Sequence, residues 1–79
     1  MTKKKSLLAN MDAGKSLRLF MAEQDLQAKQ LAETLGISDT TMSTLRRSKL
    51  ISGSNLVMLS EHFGVTAANF IRKGESEVS

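Results

Sequence analysis

The chain has 79 residues, with no cysteine, no proline, one histidine, and eleven Lys and Arg against eight Asp and Glu for a net charge of +3. That length suits one domain with a thin stability margin, because a chain of this size buries only about 60% of its unfolded surface. The composition excludes a disulfide framework and a Cys-based zinc site, and His62 cannot build a metal site alone.

No apolar run approaches the roughly 18 residues of a membrane span. Leu7 and Leu8 after the opening lysines make too short an apolar stretch for a signal peptide, so a cytoplasmic location is expected. Charge is clustered. Lys3, Lys4 and Lys5 open the chain, and Arg46, Arg47 and Lys49 form a second group. Without the tail glutamates Glu75 and Glu77, the net charge rises from +3 to +5. Such clustering favours a polyanionic partner, although a solubilising surface fits the same charge equally well.

No window alternates apolar and polar residues as a strand would, whereas helical spacing recurs five times. The fold class is therefore all-α, a compact five-helix domain. Residues 1–12 read as a basic arm, 13–73 as the domain, and 74–79 as a disordered tail, with fraying from residue 73. Asp12 is a good N-cap for a first helix carrying Leu17, Phe20 and Met21, and Asp25 lies in a turn. The second helix runs from about Ala28 to Leu35 and presents Leu31, Ala32 and Leu35 on one face. Gly36 follows where a left-handed cap is expected. Ser38 caps a third helix with Asp39 in its first turn and Met42 and Leu45 as its apolar pair. Ser52 to Ser54 form a loop. Leu56, Leu59 and Phe63 mark a fourth helix ended by Gly64, and Thr66 caps a fifth bearing Phe70 and Ile71. The expected core is Leu17, Phe20, Met21, Leu31, Leu35, Ile37, Met42, Leu45, Leu56, Leu59, Phe63, Val65 and Phe70.

The most informative stretch is AKQLAETLGISDTTMSTLRR, from Ala28 to Arg47. Ala32 is small where two helices would approach closely. Gly36 permits positive φ in the turn. Ile37 plugs the corner, and Met42 and Leu45 lock the following helix in place. These offsets specify a helix-turn-helix. With Met42 and Leu45 inward, Asp39, Thr40, Ser43, Thr44 and Arg47 point outward. Short hydroxyl and carboxylate groups near a helix start can reach base edges in the major groove. Asp39 could accept from a cytosine amino group, although a capping role suits it slightly better. Arg47 could reach guanine or a phosphate.

From about Leu17 to Ile71 the sequence resembles the Cro and repressor helix-turn-helix regulators of lambdoid phages and their XRE-like bacterial relatives. The downstream pattern Leu56, Leu59, Phe63, Gly64, Val65, Thr66, Phe70 and Ile71 extends the match. The resemblance implies a transcriptional regulator in a bacterial host that binds duplex DNA as a homodimer, without cofactor, metal or small-molecule ligand, and with no catalytic residue. It implies base reading by Ser38, Asp39, Thr40, Ser43 and Thr44. It implies phosphate contacts near Gln27, Lys29, Thr41, Arg47, Lys49, Ser54 and Asn55, and Arg46 is free to join them. The opening Thr-Lys-Lys-Lys resembles the flexible arm of the lambda repressor, so Lys3, Lys4 and Lys5 are expected along the DNA. Equally, Leu7 and Leu8 could pack on the body or on a second subunit. The exposed parts of helix five and the loop before helix four are the expected dimer surface.

Two departures from the family pattern stand out. The usual phosphate-clamping Gln at the start of helix two is Ala28 here, flanked by Gln27 and Lys29. Many members pair a Glu near the end of helix three with an Arg on helix one; those positions are Arg46 and Met21. Both ends of the ion pair are absent together, which avoids a lone buried charge.

Three other features carry no chemistry. Ala13-Gly14-Lys15-Ser16 mimics the end of a phosphate-binding loop but lacks the upstream glycine and strand, and reads as a helix start. His62 sits at a helix end as a dipole partner. Met42 and Met58 are core candidates. With 79 residues, a Cro-like protein is expected rather than a full-length repressor. The rival readings are an antitoxin or restriction–modification controller on the same fold, and a helical protein-interaction module without DNA binding.

Overall fold

A computed structural model describes residues 11–75. The basic arm, with Lys3, Lys4 and Lys5, and the last four residues lie outside the described residues. The helices are α1 (Ala13–Glu23), α2 (Ala28–Leu35), α3 (Asp39–Arg47), α4 (Gly53–Phe63) and α5 (Ala67–Glu75). No strand occurs among the described residues.

Most of the helix ends have a local chemical reason. Asp12 caps α1 by accepting from the Lys15 amide at 3.1 Å. Ser38 caps α3 through the Thr41 amide at 3.0 Å, and Ser52 caps α4 through the Asn55 amide at 3.2 Å. Ser52 thus opens α4 at Gly53, placing Ser54 and Asn55 in its first turn and not in a loop. Gly36 and Gly64 end α2 and α4 with φ of 73° and 71°. In each case the next amide reaches back around the turn, Ile37 to Ala32 and Val65 to Ser60, both at 3.0 Å. Asp25 (φ 55°) makes the same turn after α1, with the Leu26 amide on the Met21 carbonyl at 2.8 Å. Asp tolerates this region better than most side chains because its short polar group bonds locally.

α1 lies at the centre, packed against both α5 and α3. Leu17, Leu31, Met42, Leu59 and Phe70 are fully buried, and Met21 and Leu45 nearly so. Phe20, Leu35, Ile37, Leu56, Phe63 and Val65 pack partly buried around them. The three phenylalanines stack, with Phe20 4.8 Å from Phe63 and 5.4 Å from Phe70. Lys73 lies over the Phe20 ring and pairs with Glu23.

The core also takes in Met11, Ala13, Ala32 and Ile71, absent from the core expected from the sequence. Met58 is only partly buried. The sequence predicts fraying from residue 73, yet α5 runs on to Glu75. The reason is Ser16, which is wholly buried. Its hydroxyl donates to the Ile71 carbonyl at 3.3 Å and accepts from the Gly74 amide at 2.9 Å. One small polar side chain in α1 therefore satisfies two backbone groups of α5 and fixes its last turn.

Candidate nucleic-acid interface

α2 and α3 form the helix-turn-helix, with Gly36 left-handed between them. Leu31 and Ala32 of α2 and Met42 and Leu45 of α3 are buried together. Ala32 allows the close approach, as a larger side chain there would push the helices apart.

The other face of α3 is open. Asp39, Thr40, Ser43, Thr44 and Arg47 are all exposed. Thr40, Ser43, Thr44 and Arg47 follow i, i+3, i+4, i+7 spacing and make one stripe along the helix. Ser38 is exposed but occupied: its hydroxyl accepts from the Thr41 amide and donates to the Thr41 Oγ1, both at 3.0 Å. Ser38, not Asp39, caps α3, and the Asp39 carboxylate makes no hydrogen bond among the described residues. It sits in the first turn, where the helix dipole favours a negative charge.

The far end of α3 is held by α1. The Ala13 and Gly14 amides donate to the Lys49 and Ser48 carbonyls at 2.9 and 2.7 Å. Two of the amides that a helix start leaves unpaired are thereby satisfied by the chain leaving α3. Arg18 of α1 reaches the same end, its Nη1 donating to the Arg46 carbonyl at 2.9 Å. Ser48 adds a hydroxyl bond to the Thr44 carbonyl at 2.7 Å. α3 ends without a glycine: Ser48 takes the Thr44 and Leu45 carbonyls and Arg18 takes that of Arg46.

This arrangement of a capped, anchored helix presenting a polar stripe is matched by sequence. The model of the Cro/C1-type HTH DNA-binding domain covers residues 16–72. The chain belongs to this Cro/C1-type family. No curated relative matches the chain. The fold is similar to the crystal structure of the clp gene regulator ClgR from C. glutamicum, with a TM-score of 0.72 and 23% identity over 96% of this chain and 97% of that one.

The expected phosphate ligands fall mainly at the start of α2 and from the end of α3 to the first turn of α4. Gln27 occupies the capping position of α2 without making a side-chain cap bond, and Lys29 lies exposed one turn-half later. Lys49, Ser54 and Asn55 cluster between α3 and the first turn of α4, with Ser54 bonded to the capping Ser52 at 3.2 Å. Thr41 is exposed beside Ser38. Arg46 differs from its neighbour Arg47. It is half-buried and its Nε is shielded without a hydrogen-bond partner, whereas Arg47 is exposed.

Sequence reasoning missed Arg18. It notes that the Arg–Glu pair common in Cro/C1-type proteins is absent, and the structure shows a substitute: an α1 arginine on a backbone carbonyl of α3. Helical periodicity marks Arg18 only as an exposed basic residue, because carbonyl orientation at the end of another helix has no sequence signature.

Proposed function

We propose that the protein is a sequence-specific transcriptional regulator that binds a duplex DNA operator as a homodimer, inserting α3 into the major groove. The observation that carries this reading is the exposed Thr40–Ser43–Thr44–Arg47 stripe on a helix whose two ends are both fixed. Pre-set side chains are what base reading needs, since contacts must meet donors and acceptors at fixed positions. Asp39, Thr40, Ser43 and Thr44 read bases, with Ser38 holding the helix start. Gln27, Lys29, Thr41, Lys49, Ser54 and Asn55 face the phosphates, with Arg46 contributing charge from the side. Counterion release by these cations gives a steep salt dependence.

The dimer surface lies around Leu50 and Val57, which are 59% and 50% exposed. Val57 lines an open groove together with Leu35, Met58 and His62. Dimerisation through this surface is expected to match half-sites about 34 Å apart. Occupancy in the cytoplasm of a bacterial cell represses by excluding polymerase.

The test is salt-titrated fluorescence anisotropy with a duplex enriched from a random library by the protein itself. The reading predicts binding at least 1,000-fold tighter to the enriched duplex than to its scrambled form, at the scale of specific over non-specific recognition, roughly 10³–10⁷. Equal affinity for both sinks it. Val57→Glu should weaken binding to two-half-site DNA while leaving half-site affinity unchanged.

A further inference from the structure

We propose that Arg47 is a guanine-reading residue and not a phosphate contact, a refinement that rests on α3 entering the major groove. Position alone leaves Arg47 ambiguous, since it is the last residue of α3. The side-chain geometry separates the two roles.

Arg47 Nε donates to the Ser43 carbonyl at 3.1 Å, one turn back along its own helix. The guanidinium is therefore folded back against the side of α3 and does not extend past the end of the helix. It stays on the exposed stripe with Thr40, Ser43 and Thr44, the face that a recognition helix turns toward base edges. A phosphate contact from the helix end would instead extend outward to the groove wall. The bond to Ser43 uses Nε alone. Both terminal nitrogens stay unpaired among the described residues and form the outer edge of the planar fork. Two parallel donors match the O6 and N7 acceptors that guanine shows in the major groove.

The surroundings favour this assignment. Ser43 and Thr44 are short and leave the fork uncovered, and both are exposed on the same stripe. Arg46 is half-buried with its Nε shielded, so of the two adjacent arginines Arg47 is the exposed one. Lys49, beyond the helix end and exposed, already supplies a cation where the backbone would pass.

The full chain and its Arg47→Lys and Arg47→Ala variants are each presented with a random-duplex library, then titrated on the duplex enriched by the wild type. That duplex is also made with 7-deazaguanine at each guanine in turn, which removes N7 and leaves every phosphate in place. Both variants should lose preference for guanine at one position per half-site, by roughly five-fold or more. Arg47→Lys should keep the wild-type salt slope. Deaza substitution at that position should weaken the wild type but leave Arg47→Ala unaffected, a coupling that a remote phosphate contact does not produce. The proposal is overturned if Arg47→Lys keeps the wild-type preference, or if Arg47→Ala weakens all duplexes equally and lowers the salt slope by about one. A wild type that enriches no sequence instead defeats the operator-binding reading beneath it. Because Arg47 is exposed, unchanged circular dichroism melts are expected to accompany either result.

Discussion

The Gly14 amide lies 2.7 Å from the Ser48 carbonyl oxygen, joining the start of the first helix to the exit of the recognition helix. The bond is short because Gly14 has no side chain. A Cβ there would lie 2.6 Å from the Arg46 carbonyl oxygen and 2.8 Å from that of Ser48. Both obstacles are backbone, and the first is the oxygen that Arg18 also holds.

Gly14→Ala is therefore expected to destabilise the fold, although alanine is the better helix former by about 1 kcal/mol. Overpacking against backbone costs about 1–3 kcal/mol, and DNA affinity should fall with it as the end of α3 shifts. Thermal denaturation checks the first effect and anisotropy the second. A melt at or above that of the wild type contradicts the close approach.

Ser16→Ala removes the hydroxyl bonded to Gly74 and Ile71. It removes two buried hydrogen bonds between α1 and α5, each contributing about 0.5–1.5 kcal/mol. Urea denaturation should show the loss, and the Gly74 amide should exchange hydrogen faster in the folded protein. Unchanged exchange at Gly74 would show that α5 does not depend on this contact.

At Gly36, φ is +73° and nothing lies within 4 Å of where a Cβ would be. Strain, not crowding, decides substitutions there. A left-handed conformation costs most L residues about 1–2 kcal/mol, and Asn less. Melting temperatures should fall in the order Gly36→Asn, Gly36→Ala, Gly36→Val, with Asn nearest the wild type. Equal melts for all three would refute a strain origin.

Thr44→Ala and Lys49→Ala should separate reading from gripping. Loss of Thr44 should relax sequence preference at one position by about 1–3 kcal/mol and leave the salt slope unchanged. Loss of Lys49 should weaken binding to every duplex and lower the slope by about one. If Thr44→Ala weakens enriched and random duplexes alike, Thr44 leaves the base-reading set.

Much of the fold is legible before any coordinates. Gly36, Ile37, Met42 and Leu45 stand at offsets that only a tight turn between two packed helices satisfies, and their burial follows from 3.6-residue periodicity. The caps at Asp12 and Ser38 are equally local, since a side chain and an amide three residues on are enough. The outward face of α3 follows from the same periodicity with its sign reversed.

What was not legible depends on groups far apart in sequence. Ser16 looks like a polar residue of an exposed helix face, yet it is buried because Gly74, 58 residues later, brings α5 against it. Arg18 and Arg46 look like two surface cations. Only the tertiary packing brings one to a carbonyl of α3 and shields the Nε of the other. Arg47 lies between these cases: its exposure is periodic, but the Ser43 bond that aims it is a choice among rotamers. The sequence by itself therefore determined the helices, the turn and the outward face of α3, because these rest on contacts within a few residues. The tertiary structure alone decided how the recognition helix is anchored and where its arginines point, because backbone carbonyls at a helix end take partners from whichever element packs beside them.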